Sequence, residues 1–300
     1  MDLRPGVRVE EFEGCCLDCE RSLRILKPHI LRFYEGIKGF PLHRLEDLGI
    51  DELLGRYQLL DDIAHLPIGD RLAQMILEDP EIKPHLPPIR EYYKAFLILS
   101  ERQLAKKSCT SQNPWGEITS FPLFPRYEAL LEAYLREIPT HEGMSLAFLG
   151  SGPVPFTLLL AARLGIRGIG FDSDPEAVRL SEEVIAKVGL QEMIRVVWGD
   201  ETSLIKYRWD ALLVAALAEP KARIFRELLR IYKSDPSRTS LPICYRTYTG
   251  MRAILYEPVR EEDLKGFRKI KEIRPEGRVN NTLVFVTAGD ETAGGQRETP

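Results

Sequence analysis

The sequence is poor in cysteine, contains no long apolar run and has no excess of positive charge. Five cysteines in 300 residues are too few and too unevenly spaced for the disulfide framework of a secreted scaffold. No apolar run reaches the roughly 20 residues of a membrane helix, and the first residues lack the apolar core of a secretion signal. A net charge of −4 provides no basic field for nucleic acid or acidic membranes. We therefore expect a cytoplasmic protein with no nucleic-acid partner and no membrane partner.

A metal site is also missing from the sequence pattern. Cys15, Cys16 and Cys19 cluster near the N-terminus and include a Cys-x-x-Cys pair that could bind a metal or act in redox chemistry. However, no second such pair and no nearby pair of histidines completes a set of four ligands. We predict no metal site and interpret these residues as thiols on a helical segment.

Apolar spacing divides the chain into three parts. Up to about residue 107, apolar residues recur at helical spacings and prolines interrupt them. From Ser145 onward, strand and helix patterns alternate, which indicates a parallel sheet with crossover helices. We predict an N-terminal helical domain over residues 1–136 and an α/β domain over residues 137–287. Residues 288–300 have few apolar side chains, and we expect a disordered tail there.

A glycine turn at residues 150–152 is the most informative stretch. An apolar strand stops at Gly150-Ser151-Gly152, and a helical pattern follows at about Pro153. Glycines permit positive φ and close approach of a ligand, and N–H groups at a helix start attract anionic groups. A dinucleotide fingerprint requires a third glycine where this chain has Pro155. The spacing therefore favours S-adenosyl-L-methionine, which has no phosphate, and predicts a Rossmann-like sheet of the class I S-adenosylmethionine-dependent transferase type.

Acidic residues follow the next two predicted strands. Asp172 lies twenty residues after Gly152, the interval at which a carboxylate accepts hydrogen bonds from ribose hydroxyls. Asp200 and Glu201 follow the third strand, where an acidic side chain could accept from the adenine amine. Because the carboxyl ends of parallel strands share one edge, these turns together predict a nucleoside site. As an alternative, Asp172 and Asp200 could simply cap the helices that follow.

Glu101 interrupts the apolar face of a long helix predicted to begin at Pro88. It lies four residues after Leu97 and three before Leu104, so helical geometry puts its carboxylate among apolar side chains. The carboxylate could reach solvent at the edge of this face or pair with Arg102. Alternatively, burial would raise its pKa toward neutrality and make it a useful general base.

Residues 121–127 combine two prolines with aromatic side chains, so we predict an ordered loop there. The following helix is expected to begin near Tyr127. The loop could hold Tyr127 in place for a functional role, or it could be an aromatic plug at the domain junction.

Six segments carry a resemblance to a known family. Together they resemble the nicotianamine synthase family, and its archaeal members most closely, over about residues 92–286; the block Tyr245-Arg246-Thr247-Tyr248 is the most specific. The N-terminal residues resemble the family's helical domain only in general character. The segments are residues 121–127, 149–155, 199–202, 214–221, 245–252 and 279–282.

The resemblance implies transfer of aminocarboxypropyl groups from S-adenosylmethionine to the α-amine of an amino acid and of the growing product. Glutamate is the expected first acceptor, methylthioadenosine the leaving product, and a metal-chelating compound of the nicotianamine type the result. No metal is needed, because the sulfonium already activates the carbon. In this family the general base matches Glu101 and its partner matches Tyr127.

The amino-acid substrate carries carboxylates, so cations are expected near it. Arg246 follows the fifth predicted strand and could hold a carboxylate with two hydrogen bonds, or it could pair with Glu219 or Asp200. The resemblance also implies substrate contacts for Tyr127 and Tyr248.

Two other functions remain open at this point. One is an ordinary methyltransferase on the same fold, since a fold does not determine the transferred group. The other is a non-catalytic sensor of the adenosyl ligand or of a metal. The sequence also leaves open whether a homodimer forms.

Overall fold

The computed structural model of the chain describes residues 19–238 and 240–289. These residues form two units. The first runs up to Ser100 and includes Tyr248–Pro258, and the second contains Glu101–Thr247 and the chain from Val259 onward. The domain boundary expected after residue 136 stays a prediction. Cys15, Cys16 and the tail from residue 290 onward lie outside the described residues.

Helices build the first unit, as the apolar spacing predicts. On α1 (Cys19–Ile37), Leu26, Ile30 and Phe33 recur at helical spacings, and all three are buried. Pro28 lies inside α1 and does not end it. The remaining α-helices of this unit are α2 (Ile50–Ala64), α3 (Asp70–Glu78) and the first part of α4 (Leu86–Thr110).

A seven-stranded sheet forms the centre of the second unit and confirms the predicted α/β class. In chain order its strands are β1 (Ser145–Leu149), β2 (Arg167–Asp172), β3 (Ile194–Trp198), β4 (Ala211–Val214), β5 (Ile243–Thr247), β6 (Phe267–Ile273) and β7 (Thr282–Ala288). The order across the sheet is β3-β2-β1-β4-β5-β7-β6. The first five are parallel, and β7 pairs antiparallel with both β5 and β6. The order reverses between β1 and β4, where open α/β sheets bind ligands.

Helices cross between the parallel strands as expected. They are α7 (Phe156–Arg163), α8 (Pro175–Lys187) and α9 (Lys221–Ser234). The helix predicted from Pro153 begins three residues later, because Pro155 takes the N-cap position with ψ of 64°. Nearly every side chain of α7 is buried, so this helix is a core element of the unit.

Strand β6 was not predicted. It lies at the edge of the sheet, and its side chains from Arg268 to Lys271 are exposed. With both faces solvated, the alternation of apolar and polar residues that marks a half-buried strand is absent. Charged residues on an edge strand also oppose pairing with another sheet.

Two short helices complete the second unit. These are α5 (Pro114–Thr119) and α6 (Phe124–Leu135). The prediction that residues 121–127 form a loop was wrong in its second half, since α6 already begins at Phe124. Pro125 lies in its first turn, where a missing N–H leaves no helical hydrogen bond unmade. Among the described residues, no helix combines the length and the apolar character needed to cross a membrane.

Candidate active site

The glycine turn between β1 and α7 requires glycine for two reasons. Gly150 and Gly152 have φ of +79° and +72°, in the region that side chains disfavour. In addition, a Cβ on Gly152 would lie 2.8 Å from Oε2 of Glu101. A Cβ on Gly150 would lie 3.1 Å from the Cβ atoms of Ala215 and Ala218. The turn therefore permits a close approach on both sides.

The N–H groups of this turn donate within the protein. Those of Gly150 and Ser151 donate to the Phe171 carbonyl at 2.8 and 3.1 Å, and that of Gly152 donates to Oδ2 of Asp172 at 2.8 Å. The Ser151 side chain is buried against β2, where a Cβ on Gly170 would lie 2.8 Å from its Oγ. These three N–H groups therefore hold the turn against the end of β2.

Asp172, at the end of β2, links this strand to the glycine turn after β1. Its Oδ2 accepts from Gly152 and its Oδ1 accepts from the Asp174 N–H at 3.0 Å. The N-cap of α8 is Asp174, whose side chain accepts from Glu176, so the capping alternative for Asp172 was wrong. Burial raises the pKa of Asp172, and the hydrogen bonds from Asp174 and Gly152 oppose this effect. A carboxylate has about four lone-pair sites, so Asp172 could also accept from a ribose hydroxyl.

The acidic side chains of the turn after β3, Asp200 and Glu201, contact nearby protein groups. Asp200 accepts from the backbone N–H and the hydroxyl of Thr202 at 3.0 and 2.6 Å, which is the capping alternative. The hydroxyl is the main cause that lowers the pKa of Asp200. Glu201 is buried, and its Oε1 lies 2.6 Å from Nε of Arg223. The role of Asp200 and Glu201 toward adenine stays a prediction.

Glu101 and Tyr127 are joined by a direct hydrogen bond. The Tyr127 hydroxyl donates to Oε1 of Glu101 at 2.8 Å, and both side chains are half-buried. The Tyr127 ring stacks on Phe156, with centroids 4.1 Å apart and planes at 9°. Phe156 is the first residue of α7, and it also stacks with Phe121 at 5.8 Å. The aromatic stretch thus positions Tyr127 against the helix that follows the glycine turn.

The surroundings of Glu101 bring its pKa into the range of a general base. Burial is the largest effect and raises the pKa, the Tyr127 hydrogen bond lowers it, the Asp172 charge raises it and the Arg246 charge lowers it. The result is a pKa of about 7, compared with an ordinary value of 4.5. At neutral pH the carboxylate and the acid are therefore both well populated, as efficient proton transfer requires.

Arg246 is a buried cation on β5. Its Nη2 donates to Oγ1 of Thr157 at 2.7 Å, and its guanidinium carbon lies 5.0 Å from the centre of the Phe148 ring. Only 6% of the side chain is exposed. These contacts hold the guanidinium on the sheet, where its charge acts on Glu101. Contact with a substrate carboxylate stays a prediction.

Tyr248 belongs to the first unit and is described within it. Its side chain is buried, its hydroxyl lies 3.3 Å from that of Tyr93, and the two rings meet edge to face. Its predicted contact with substrate is not tested by these contacts.

In the second unit, predicted residues from four separate segments meet. Glu101, Tyr127, Gly152 and Asp172 are linked by contact or hydrogen bond, and Arg246 acts on Glu101 through its charge. Three further residues were not predicted: Phe156 stacks on Tyr127, Thr157 accepts from Arg246, and Arg223 pairs with Glu201. The position of Phe156 and Thr157 directly after the glycine turn was the signal that could have identified the first two. Among the described residues, no group of three or more acidic, cysteine or histidine side chains is arranged to hold a metal ion.

Known proteins of one family are similar to this chain. A profile described as nicotianamine synthase protein matches residues 64–292. The tomato (Solanum lycopersicum) nicotianamine synthase is 28% identical over 245 residues, which cover 76% of this chain and 74% of the tomato protein. The barley (Hordeum vulgare) nicotianamine synthase 9 is 29% identical over 189 residues, covering 58% of this chain and 54% of the barley protein. The match thus spans about half the length of the barley relative.

Two solved structures match most of the chain. MtNAS in complex with MTA and tNA has 34% sequence identity and a TM-score of 0.81, with 92% of this chain and 100% of that chain covered. A mutant of MtNAS in complex with S-adenosylmethionine has 34% identity and a TM-score of 0.78, with 92% and 99% covered.

Proposed function

This chain belongs to the nicotianamine synthase family, and from that premise we propose that it transfers aminocarboxypropyl groups from S-adenosylmethionine to amines. The first acceptor is the α-amine of an amino acid, for which we propose glutamate, and the next is the amine of the growing product. The products are methylthioadenosine and a chelating compound of the nicotianamine type. The proposal includes a cytoplasmic location and needs no nucleic-acid or membrane partner.

One observation carries the proposal: Glu101, with a pKa of about 7, lies against Gly152 and accepts a hydrogen bond from Tyr127. An amine bound as ammonium cannot act as a nucleophile until it loses a proton. A base with an ordinary pKa of 4.5 would accept this proton poorly. Raising the pKa to about 7 makes acceptance more favourable by about 3 kcal/mol.

The residues around the glycine turn fit S-adenosylmethionine. Gly150 and Gly152 adopt positive φ and allow Glu101, Ala215 and Ala218 to approach the turn closely, and the Asp172 carboxylate could accept from ribose hydroxyls. We propose these residues with Ser151, Asp200 and Glu201 as the binding residues for the co-substrate. When bound, its sulfonium supplies an activated methylene, to which the amine forms a bond as the carbon–sulfur bond breaks and methylthioadenosine leaves.

The protein's part in this reaction is to manage protons and charge. The Glu101 carboxylate takes one proton from the acceptor ammonium, and Tyr127 keeps Oε1 oriented by donating to it. The new secondary amine retains one proton as ammonium, and Glu101 passes its proton to solvent before the next transfer. Overall one proton is released for each group transferred. Arg246 offsets the negative charge at the site, and we propose that it contacts the substrate together with Tyr127.

Mass spectrometry of the reaction products tests the proposal. The protein is incubated with S-adenosylmethionine and glutamate, with other amino acids in parallel. We expect methylthioadenosine and an acceptor that is heavier by one or more aminocarboxypropyl units. S-adenosylhomocysteine with a methylated acceptor would contradict the proposed reaction and identify a methyltransferase.

A further inference from the structure

The loop after β4 forms one wall of the glycine turn. The Ala215 N–H donates to the Leu149 carbonyl at 2.9 Å, so the loop begins beside the end of β1. The Cβ atoms of Ala215 and Ala218 approach Gly150 so closely that a Cβ there would lie 3.1 Å from each. Movement of this loop would therefore change the space beside Gly150.

A buried lysine holds this loop from behind. Lys221 is only 8% exposed, and its Nζ donates to the carbonyls of Ala215 at 2.9 Å, Ala216 at 2.8 Å and Ala218. An ammonium has three N–H groups, one for each of these acceptors. Three carbonyl oxygens of one loop thus converge on a single cation.

The position of this cation is unfavourable on local grounds. Lys221 is the first residue of α9, where the positive end of the helix dipole repels a cation, and burial adds a desolvation penalty. The carbonyl dipoles offset both effects. A solvent-exposed lysine at this position would avoid the desolvation penalty, so the burial of Lys221 needs a reason beyond the stability of α9.

We propose that Lys221 is a positioning residue for the S-adenosylmethionine site, in which its ammonium acts as an internal monovalent cation. It draws the carbonyls of the loop together and thereby sets the distance of Ala215 and Ala218 from Gly150. The inference rests on the proposed function, because it assigns the glycine turn, against which this loop packs, to that co-substrate. Arginine could not replace it, since a planar guanidinium does not direct three donors to one convergent set of carbonyls.

The test is chemical rescue of Lys221→Ala, followed by calorimetric binding of S-adenosylmethionine without acceptor. Loss of hydrogen bonds to a charged group weakens an interaction by about 10- to 100-fold, and we expect the dissociation constant to rise by that factor. Propylammonium supplies the three carbons and the nitrogen that the substitution removes. We expect it to restore at least half of the lost affinity, on a logarithmic scale, while tetramethylammonium at equal ionic strength restores none because it has no N–H donor.

Lys27→Ala is the matched control. Lys27 is a half-buried lysine with its Nζ 2.8 Å from Asp79 and 2.7 Å from Glu81, and it belongs to the first unit. Its removal is expected to leave S-adenosylmethionine affinity unchanged, with or without propylammonium. In turnover assays, the KM for S-adenosylmethionine should rise in Lys221→Ala while the KM for the acceptor stays constant, a split that general loss of structure would not give.

Wild-type affinity in Lys221→Ala would overturn the inference, and so would a loss of affinity that propylammonium does not restore. If the variant is recovered unfolded, refolding with propylammonium but not with tetramethylammonium supports the inference, and failure with both overturns it. The proposed reaction fails separately: wild-type protein that binds S-adenosylmethionine but releases no methylthioadenosine contradicts the reaction and leaves the rescue test valid.

Discussion

Glu101 combines a role in proton transfer with an unfavourable charge in the folded protein. We predict that Glu101→Gln keeps S-adenosylmethionine affinity but loses on the order of 100- to 10,000-fold in turnover, since an amide cannot accept the proton. In the wild type, kcat/KM should fall as the pH is lowered through about 7, where the Glu101 carboxylate becomes protonated. Steady-state kinetics from pH 5.5 to 9 and binding calorimetry check both statements.

The same profile distinguishes a base from a structural carboxylate. Residual activity of Glu101→Gln should lack the ionisation near pH 7, because the variant has no titrating group at this position. Near-normal turnover in Glu101→Gln would remove Glu101 from the role of base and leave Tyr127 without a partner to orient.

In the glycine turn, the effect of positive φ can be separated from the effect of the close approach of Glu101. Gly152 has a φ of +72° and faces Oε2 of Glu101, whereas Gly165 has a φ of +81° with nothing within 4 Å of its missing Cβ. We predict that both Gly152→Ala and Gly165→Ala lower the free energy of unfolding by about 1–2 kcal/mol, because alanine is strained at positive φ. Only Gly152→Ala should also lose turnover, on the order of 100-fold, because its methyl group displaces the base.

Denaturant unfolding and turnover assays of the two variants make this comparison. Equal losses of activity would mean that backbone strain alone matters. Normal activity in Gly152→Ala would mean that the approach of Glu101 to the turn is not needed.

The ionisation of Glu101 should make the free energy of unfolding of the whole protein depend on pH. Its pKa of about 7 in the folded state lies above the ordinary 4.5, so between these values the folded protein binds more protons than the unfolded chain. The contribution is fully present below pH 4.5 and is lost as the pH rises through about 7. We predict that Glu101→Gln exceeds the wild type in stability at pH 8.5 by up to about 3 kcal/mol and equals it near pH 4.5.

Tryptophan fluorescence during denaturant unfolding measures this difference. Trp115, Trp198 and Trp209 are the tryptophans of the chain, and all three belong to the same unit as Glu101. Asp172, whose pKa is also raised by burial, titrates in both proteins, so the difference between them reports on Glu101 together with its charge interaction with Asp172. Equal stability of the two proteins at pH 8.5 would show that the carboxylate is well solvated in the folded state.

Much of the architecture follows from local pattern. Alternating apolar runs predict the strands of the parallel sheet and their crossover helices, because each strand and helix buries a face of characteristic period. This pattern does not predict strand β6, because an edge strand with charged side chains on both faces has no such period. The start of α6 at Phe124 was missed because proline was read as excluding a helix, whereas the first turn accepts it.

The carboxylate of Glu101, the Gly150–Gly152 turn and the acid at Asp172 could be identified as candidates from spacing and residue chemistry alone, because each depends on a few neighbouring residues. The contacts that join these residues into one site could not be identified in this way. The hydrogen bond from Tyr127, the contact with Gly152 and the charge of Arg246 join segments up to 145 positions apart. A pKa depends on the summed field and desolvation from all these neighbours, so the value near 7 exists only in the folded protein. The role of Lys221 likewise depends on the folded structure. The sequence shows only a lysine at the start of a helical pattern, and the loop carbonyls that accept from it are brought together by folding.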